Sequence, residues 1–289
     1  LTSFTNGQAV TSWQEHNYRI SASSVTAGTG PAMVTNAFNG KRSVRFNPAQ
    51  STLLQIASGD NPLAGAEALT IAVVFKPYAP GYASGLNQWW NSSLFIGGEV
   101  SGSANDWGFV FSQDSRIGMG LCQMSTIGNP DLMQYHAATA TLSQPHVAIC
   151  AWRPGAFALN LDGDETLNAT VYTAGSGGPT RPENITLPRV PAPIYLGAGK
   201  ATQNLALNSE IAEIRIFKNH FMDAYARQTL IRELGATYGV SAAASAAMPT
   251  RPSYAGDLSQ QTFAVTSVPP AAAVWSASTL GLADGASVS

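Results

Sequence analysis

Residues 145–164, PHVAICAWRPGAFALNLDGD, predict a β-hairpin in the middle of a sheet. Apolar residues run from Val147 to Trp152 with the two-residue alternation of a half-buried strand. An Arg-Pro-Gly turn follows at 153–155, where proline presets φ and glycine tolerates a positive φ. Large apolar residues then occupy every second position from Phe157 to Leu161, and Asp162-Gly163 marks a second tight turn. Because so long an apolar hairpin is not stable alone in water, neighbouring strands are expected on both sides.

Composition indicates a large all-β domain, alone or with an appendage, within the 289 residues. Charged residues make up 11% of the chain, against roughly 25% in average soluble domains. The surface is therefore expected to be rich in Ser, Thr, Asn, Gln and Gly, which is typical of extracellular, cell-wall and virion proteins. A net charge of −2 gives no reason to expect nucleic acid or an anionic membrane as a partner. No apolar run reaches 18 residues, so no membrane span is predicted, and a start at Leu1 predicts a processed chain or a fragment.

Further β-prone segments recur along the chain. The strongest is Leu69–Lys76, and an Asn-Gly turn at 39–40 precedes a strand at Ser43–Phe46. Other predicted strands are Ser93–Gly97, Trp107–Ser112, Arg116–Met124, Ile194–Gly197 and Glu210–Phe217. The stretch 173–193 is too long and too rich in Gly and Pro for a plain connector. One helix is predicted over 223–237, with Asp223 as N-cap and a structural role beside the sheets.

This order of segments resembles the concanavalin A-like lectin/glucanase superfamily, in its laminin G-like bacterial and phage branch. The matching segments are Asn39-Gly40 to Phe46, Thr70–Phe75, His146–Trp152, Leu161–Gly163, Tyr195–Gly197, Glu210–Ile214 and the helix that ends in Tyr238-Gly239. The resemblance covers about residues 1–240 and implies an antiparallel two-sheet jelly-roll sandwich with one packed α-helix. It does not choose a function, because the superfamily includes lectins, glycosidases, adhesive modules and virion proteins.

The chain divides into a sandwich at 1–240, a linker with a short strand at 241–273, and a strand at 274–289 that resembles the start of a following or neighbouring sandwich. Members of the resembled family begin with a Val-Trp-x-Ala strand, which occurs here only near the C-terminus. The tail also echoes the head, with Gly285 matching Gly7 at an offset of 278. The predicted assembly strand comprises Val274, Trp275, Ala277, Leu280, Leu282 and Val288. Tandem sandwiches, donation of this strand to a neighbouring copy, and chance similarity all remain open.

Catalytic motifs are missing from the sequence. Resembling hydrolases carry Glu-x-Asp-x-x-Glu on one strand, and no such motif occurs here. Glu210 and Glu213 are three residues apart and are expected on opposite faces of a strand, whereas Glu213 and Arg215 share a face and are expected to form an ion pair. No Ser-His-Asp set can be assigned, and the four histidines lack metal-binding spacing.

Trp89 and Trp90 are the candidate glycan-binding residues. They are adjacent aromatic residues in a polar loop at 81–93, and flat aromatic rings stack on sugars. The alternative is that one of the two rings plugs the end of the sandwich. Cys122 and Cys150 are interpreted as buried thiols or as a disulfide between neighbouring strands.

Four aspartates are candidate calcium ligands. Asp162 and Asp164 flank Gly163, but the same three residues satisfy the needs of a hairpin turn, which is the favoured interpretation. Asp106 and Asp114 are the other two candidates. No cofactor other than calcium is suggested.

The sequence therefore predicts a non-catalytic structural or adhesive module of a repetitive extracellular or virion assembly, with glycan binding as a candidate activity. Its expected partners are other copies or tandem sandwich domains, and a polysaccharide. Two alternatives are a carbohydrate-active enzyme or its binding module, and a phage head-decoration or tail-fibre protein.

Overall fold

The structure, a computed structural model, describes residues 5–15, 20–26, 29–50, 52–82, 88–100, 106–122, 131–166, 171–174, 192–199, 206–249 and 273–276. These residues form seventeen strands and two α-helices. They are β1 (Ser12–Gln14), β2 (Ser21–Ser24), β3 (Ala32–Phe38), β4 (Lys41–Phe46), β5 (Leu54–Ile56), β6 (Leu69–Pro77), β7 (Ser93–Gly98), β8 (Trp107–Phe111), β9 (Ile117–Cys122), β10 (Asp131–Tyr135), β11 (His146–Arg153), β12 (Ala156–Leu161), β13 (Asp164–Thr166), β14 (Val171–Ala174), β15 (Ile194–Leu196), β16 (Ser209–Lys218), α1 (Ala224–Tyr238), α2 (Ser241–Ala244) and β17 (Ala273–Ser276).

The strands make two antiparallel sheets. One has nine strands in the order β1-β2-β5-β15-β7-β8-β9-β10-β14. The other has eight, in the order β13-β12-β11-β6-β16-β4-β3 with β17 also paired to β16. Apolar side chains from both sheets form one buried cluster between them. The predicted all-β sandwich is therefore confirmed, and within the described residues neither helix is long and apolar enough to cross a membrane.

The hairpin predicted at 145–164 lies in the middle of the eight-stranded sheet as β11 and β12. Its two turns have the expected left-handed backbone, with φ of 79° at Gly155, 53° at Asp162 and 96° at Gly163. Strand β11 is buried on both faces, however, rather than half-buried. One face packs between the sheets, and the other packs under α1, so both sets of alternating residues are apolar.

Helix α1 covers the outer face of the eight-stranded sheet. The Asp223 carboxylate accepts a hydrogen bond from the Ala226 amide, and Gly239 ends the helix with a φ of 71°, as expected for an N-cap and a left-handed C-cap. Residues 241–244, predicted as the start of a linker, instead form α2, because Ala243 packs into the same buried cluster as α1. The short strand predicted within the linker, at Thr262–Val268, lies outside the described residues.

Strand β17 pairs with the part of β16 that β4 leaves unpaired in the eight-stranded sheet. Strand β4 pairs with β16 only at Ser209–Ile211, and β17 pairs with the next part of the same edge, from Glu213 to Ile216. Trp275 is fully buried between the sheets, and its Nε1 donates a hydrogen bond to the Trp13 carbonyl at 3.1 Å. Within this one chain, strand β17 is therefore part of the same sandwich as β16 and Trp13. The other predicted assembly residues, Ala277, Leu280, Leu282 and Val288, lie outside the described residues.

The two cysteines lie in different sheets. Cys122 ends β9 of the nine-stranded sheet, whereas Cys150 is buried in β11 of the eight-stranded sheet. They are therefore not on neighbouring strands of one sheet, which was the arrangement that the disulfide interpretation required.

Candidate functional site

Three glycines lie side by side on the outer face of the nine-stranded sheet. Gly97 of β7 pairs with Gly108 of β8, and Gly108 pairs with Gly120 of β9. Their strand neighbours, such as Phe109 and Met119, point into the core between the sheets, so the glycines face outward. Without side chains they leave a depression across three strands. We call Gly97, Gly108 and Gly120 the glycine trough.

The Trp89 side chain packs over Gly108 and Gly120 of the glycine trough, and Leu94 packs against Gly97. A Cβ placed on Gly120 would collide with Trp89 Cβ and Cγ, and a Cβ on Gly108 would lie 3.0 Å from Trp89 Cε3. Trp89 is fully buried, and the side chains around it are Leu94, Val110, Met133 and Tyr135. Its Nε1 has no hydrogen-bond partner among the described residues. Trp89 therefore presents no ring face to solvent, and it covers the face of a sheet rather than the end of the sandwich.

Trp90 remains partly exposed beside it. The two indoles meet edge to face, with centroids 6.4 Å apart and planes at 89°. Tyr82, at 53% exposure, belongs to the same loop, and its backbone amide and carbonyl bond to the hydroxyl and amide of Ser93 at 2.9 Å each. We call Tyr82 and Trp90 the aromatic ledge. Tyr82 was not among the predicted site residues, although an aromatic residue within the polar loop at 81–93 was a usable signal.

Two acidic residues lie beyond the trough at the end of β7 and β8. Gly98 and Trp107 form the last pair of β7 with β8, and Glu99 and Asp106 directly flank that pair. Both are buried, with 6% of their surface exposed. One Asp106 carboxylate oxygen accepts a hydrogen bond from the Val100 amide at 3.2 Å, and the Glu99 amide donates to the Gly199 carbonyl at 3.3 Å. The position of Glu99 and Asp106 at the end of the same strand pair depends on strand register and has no local sequence signature.

Glu210 and Glu213 do not point to opposite faces as predicted. The register of β16 against β6 shifts between Ile211 and Glu213, which marks a β-bulge. The extra residue resets the alternation, so both glutamates lie on the outer face while Ile211 and Ile214 point into the core. The simple three-residue spacing rule was wrong here because it assumes an unbroken pleat.

Both glutamates are held by protein donors. Glu210 accepts hydrogen bonds from the Tyr78 hydroxyl and from Ser43 Oγ at 2.8 Å. Glu213 forms the predicted ion pair with Arg215 and accepts a hydrogen bond from the Tyr238 hydroxyl. Burial and the neighbouring Glu213 carboxylate raise the pKa of the Tyr238 phenol, which therefore stays protonated and donates. The Glu213–Tyr238 hydrogen bond links the sheet to α1, whereas the Glu210 contacts join β16 to Ser43 of β4 and to Tyr78.

The remaining calcium candidates have other contacts. Asp162 accepts hydrogen bonds from His146 Nδ1 and from the Val147 amide, which fixes the hairpin turn. Burial disfavours the charged imidazole, but the Asp162 carboxylate outweighs it, so the pKa of His146 is raised above its ordinary value. Asp114 pairs with Arg116, and Asp164 is exposed. Within the described part of the chain no three His, Cys, Asp or Glu side chains converge as a metal site, and calcium binding stays a prediction.

Comparison with known proteins shows similarity of fold. No family model and no curated protein matches the chain. The binding domain of Paraclostridial Mosquitocidal Protein 1 superposes with a TM-score of 0.50 at 9% identity, over 71% of this chain and 46% of that one. Domain 4 of the extracellular arabinanase AbnA from Geobacillus stearothermophilus, solved with arabinotriose, gives 0.45 at 12% identity, over 68% and 80%.

A third similar structure is tailspike protein 2 of the Escherichia coli O157:H7 bacteriophage CAB120. Its TM-score is 0.45 at 14% identity, over 80% of this chain and 28% of that one. At such identities the likeness concerns the fold alone. The chain has a jelly-roll β-sandwich fold, as its segment order indicated.

Proposed function

We propose that this chain is a non-catalytic glycan-binding module whose binding surface is the aromatic ledge, Tyr82 and Trp90. The observation that carries the proposal is the burial of Trp89 in the glycine trough. Packed on backbone, Trp89 holds the adjacent Trp90 edge to face, so the exposed ring is oriented before a ligand arrives. Aromatic rings suit sugars because they offer a large flat apolar face at little cost in side-chain entropy.

The expected ligand is a neutral or weakly charged polysaccharide. The chain carries 11% charged residues and a net charge of −2, so stacking and hydrogen bonds rather than ion pairs would supply the affinity. A surface poor in charge and rich in small polar residues also favours an adhesive role on an extracellular or virion surface.

Replacing the exposed ring tests the proposal. Trp90→Ala should weaken glycan binding at least about two- to tenfold, since an aromatic contact contributes roughly 0.5–1.5 kcal/mol beyond its buried area. Tyr82→Ala should weaken it less, and Trp90→Phe should keep part of the affinity. Tyr225→Ala, a partly exposed tyrosine on α1 at the other sheet, is the matched control.

The measurement is a glycan array followed by calorimetric titration of the best ligand, with the thermal midpoint of each variant as a check on folding. Equal binding by wild type, Trp90→Ala and Tyr82→Ala in folded protein would remove the ledge as the site.

Glu99 and Asp106 favour a second candidate, a glycoside hydrolase. Side chains directly opposite on neighbouring strands have Cβ atoms about 4.5–5.5 Å apart. Carboxyl groups on side chains so spaced can reach the roughly 5–5.5 Å separation that retaining glycosidases use. Continued past Gly98–Trp107, the β7–β8 register places Glu99 opposite Asp106, two positions beyond Gly97 and Gly108 of the trough. Release of reducing sugar from a bound polysaccharide, lost in both Glu99→Gln and Asp106→Asn, would replace the non-catalytic proposal with this one.

A further inference from the structure

We infer that the edge of β16 is an acceptor for strand β17 of a second copy, so that chains associate by exchanging this strand. We call the edge from Glu213 to Ile216, together with the Trp13 carbonyl and the Tyr238 hydroxyl, the β17 slot. The inference goes beyond glycan binding, since the slot belongs to the eight-stranded sheet and the aromatic ledge belongs to the other.

The β17 slot exists because β4 stops pairing early. The last pair of β4 with β16 is Val44 with Ile211, after which the β16 bulge begins. From Glu213 onward, the backbone groups on this edge are satisfied by β17, through pairs that run from Glu213–Ser276 to Ile216–Ala273. An edge of this kind, left without its strand, is a template for pairing with another chain.

The slot recognises both an apolar and a polar side chain. Trp275 enters the core between the sheets with no exposed surface, and its Nε1 donates to the Trp13 carbonyl. Next to it, Ser276 Oγ lies 3.1 Å from the Tyr238 hydroxyl, which donates to Glu213. A Trp-Ser sequence therefore fits, and any other copy of this chain carries it.

The connection to β17 is long enough to reach a neighbour. Residues 250–272 separate the last described residue of the sandwich, Pro249, from Ala273. At about 3.3 Å per residue, 23 residues can span up to roughly 75 Å. The radius of gyration expected for a chain of this size is only about 19 Å. The same contacts can therefore form within one chain or between two, and reciprocal exchange closes a two-fold dimer.

A cross-link across the strand pair distinguishes the two arrangements. Arg215 and Val274 are directly opposite and both are partly exposed, so the double variant Arg215→Cys/Val274→Cys places two thiols within disulfide reach. After refolding at high protein concentration and mild oxidation, exchange predicts covalent dimers and higher oligomers on non-reducing gels. A cross-linked monomer alone, or no cross-link at all, overturns the inference.

Mixing and mass measurements complete the test. Arg215→Cys and Val274→Cys chains, purified separately and refolded together, should give a disulfide-linked dimer that neither chain gives alone. The single variants also control for the natural Cys122 and Cys150. Light scattering of the unmodified chain should show a dimer fraction that rises with concentration, and a monomer at every concentration would contradict exchange. Trp90→Ala should leave the dimer fraction unchanged, so glycan binding and strand exchange can fail separately.

Discussion

At the scale of single residues, the outer face of the nine-stranded sheet depends on positions that have no side chain. Gly120 lies against Trp89 Cβ and Cγ, so even a methyl group there displaces the indole or the strand. The burial of Trp89 and the orientation of Trp90 both follow from this contact.

Gly120→Ala should therefore lower the free energy of unfolding by about 1–3 kcal/mol, the usual effect of overpacking. The displaced Trp89 should also shift tryptophan emission to longer wavelength. Gly59→Ala is the matched control, because Gly59 is exposed and a Cβ there meets nothing within 4 Å. Chemical denaturation followed by fluorescence measures both effects, and equal stability of the two variants would contradict the packing.

The sequence identified the tryptophan pair but could not tell which ring is buried. That outcome depends on three glycines from three strands coming into register, and their positions at 97, 108 and 120 carry no local signal of it. The same holds for Glu99 and Asp106. Local patterns locate aromatic and acidic residues, whereas register decides which of them meet.

At the scale of elements, prediction succeeded where one strand or helix is specified by its own residues. The hairpin of β11 and β12 and the capped helix α1 lie where the alternation and the caps placed them. Short strands such as β1 and β5 were missed, because three residues are too few to show a period. The β16 bulge was missed for a different reason, since it is defined by the register of β16 against β6 and not by a local residue pattern.

The central hairpin should make stability depend on pH. Protonated His146 donates from Nδ1 to Asp162 and from Nε2 to the Thr141 carbonyl, and the neutral ring loses one of these donors. The pKa of His146 is raised by Asp162 even though burial opposes it, so the stabilisation is complete below the ordinary histidine pKa. It is lost as the pH rises through the raised pKa.

The free energy of unfolding should accordingly fall between about pH 6 and 8, the range in which histidines titrate. Both His146→Asn and Asp162→Asn should flatten this dependence, the first by removing the titrating ring and the second by removing its partner. Urea unfolding at a series of pH values measures the free energy of unfolding of the unmodified chain and of both variants. A slope that persists unchanged in both variants would assign the pH dependence to other groups.

At the scale of the whole molecule, the head and the tail of the chain meet in one core. Trp275 and Trp13 are 262 residues apart in the sequence and are joined by a hydrogen bond. Trp275→Ala should lower the free energy of unfolding by about 3–5 kcal/mol, as expected for a buried tryptophan.

Val274→Ala, at a partly exposed position of the same strand, should have a clearly smaller effect. Thermal and urea denaturation compare the two variants. If Trp275→Ala were no more destabilising than Val274→Ala, the tail strand would not be part of the folded core. The comparison reports on the filled β17 slot, whether the strand comes from the same chain or from a second copy.

The late position of β17 has a consequence for synthesis. Its residues leave the ribosome about 60 residues after Ile216 of β16, which at 5–20 residues per second is a delay of roughly 3–12 s. During that interval the nascent sandwich has an open sheet edge and a core that lacks one tryptophan. A chain on a ribosome further along the same messenger finishes its own β17 earlier, so its strand competes with the chain's own β17 for the gap, and the first strand to pair decides whether a chain closes alone or with its neighbour.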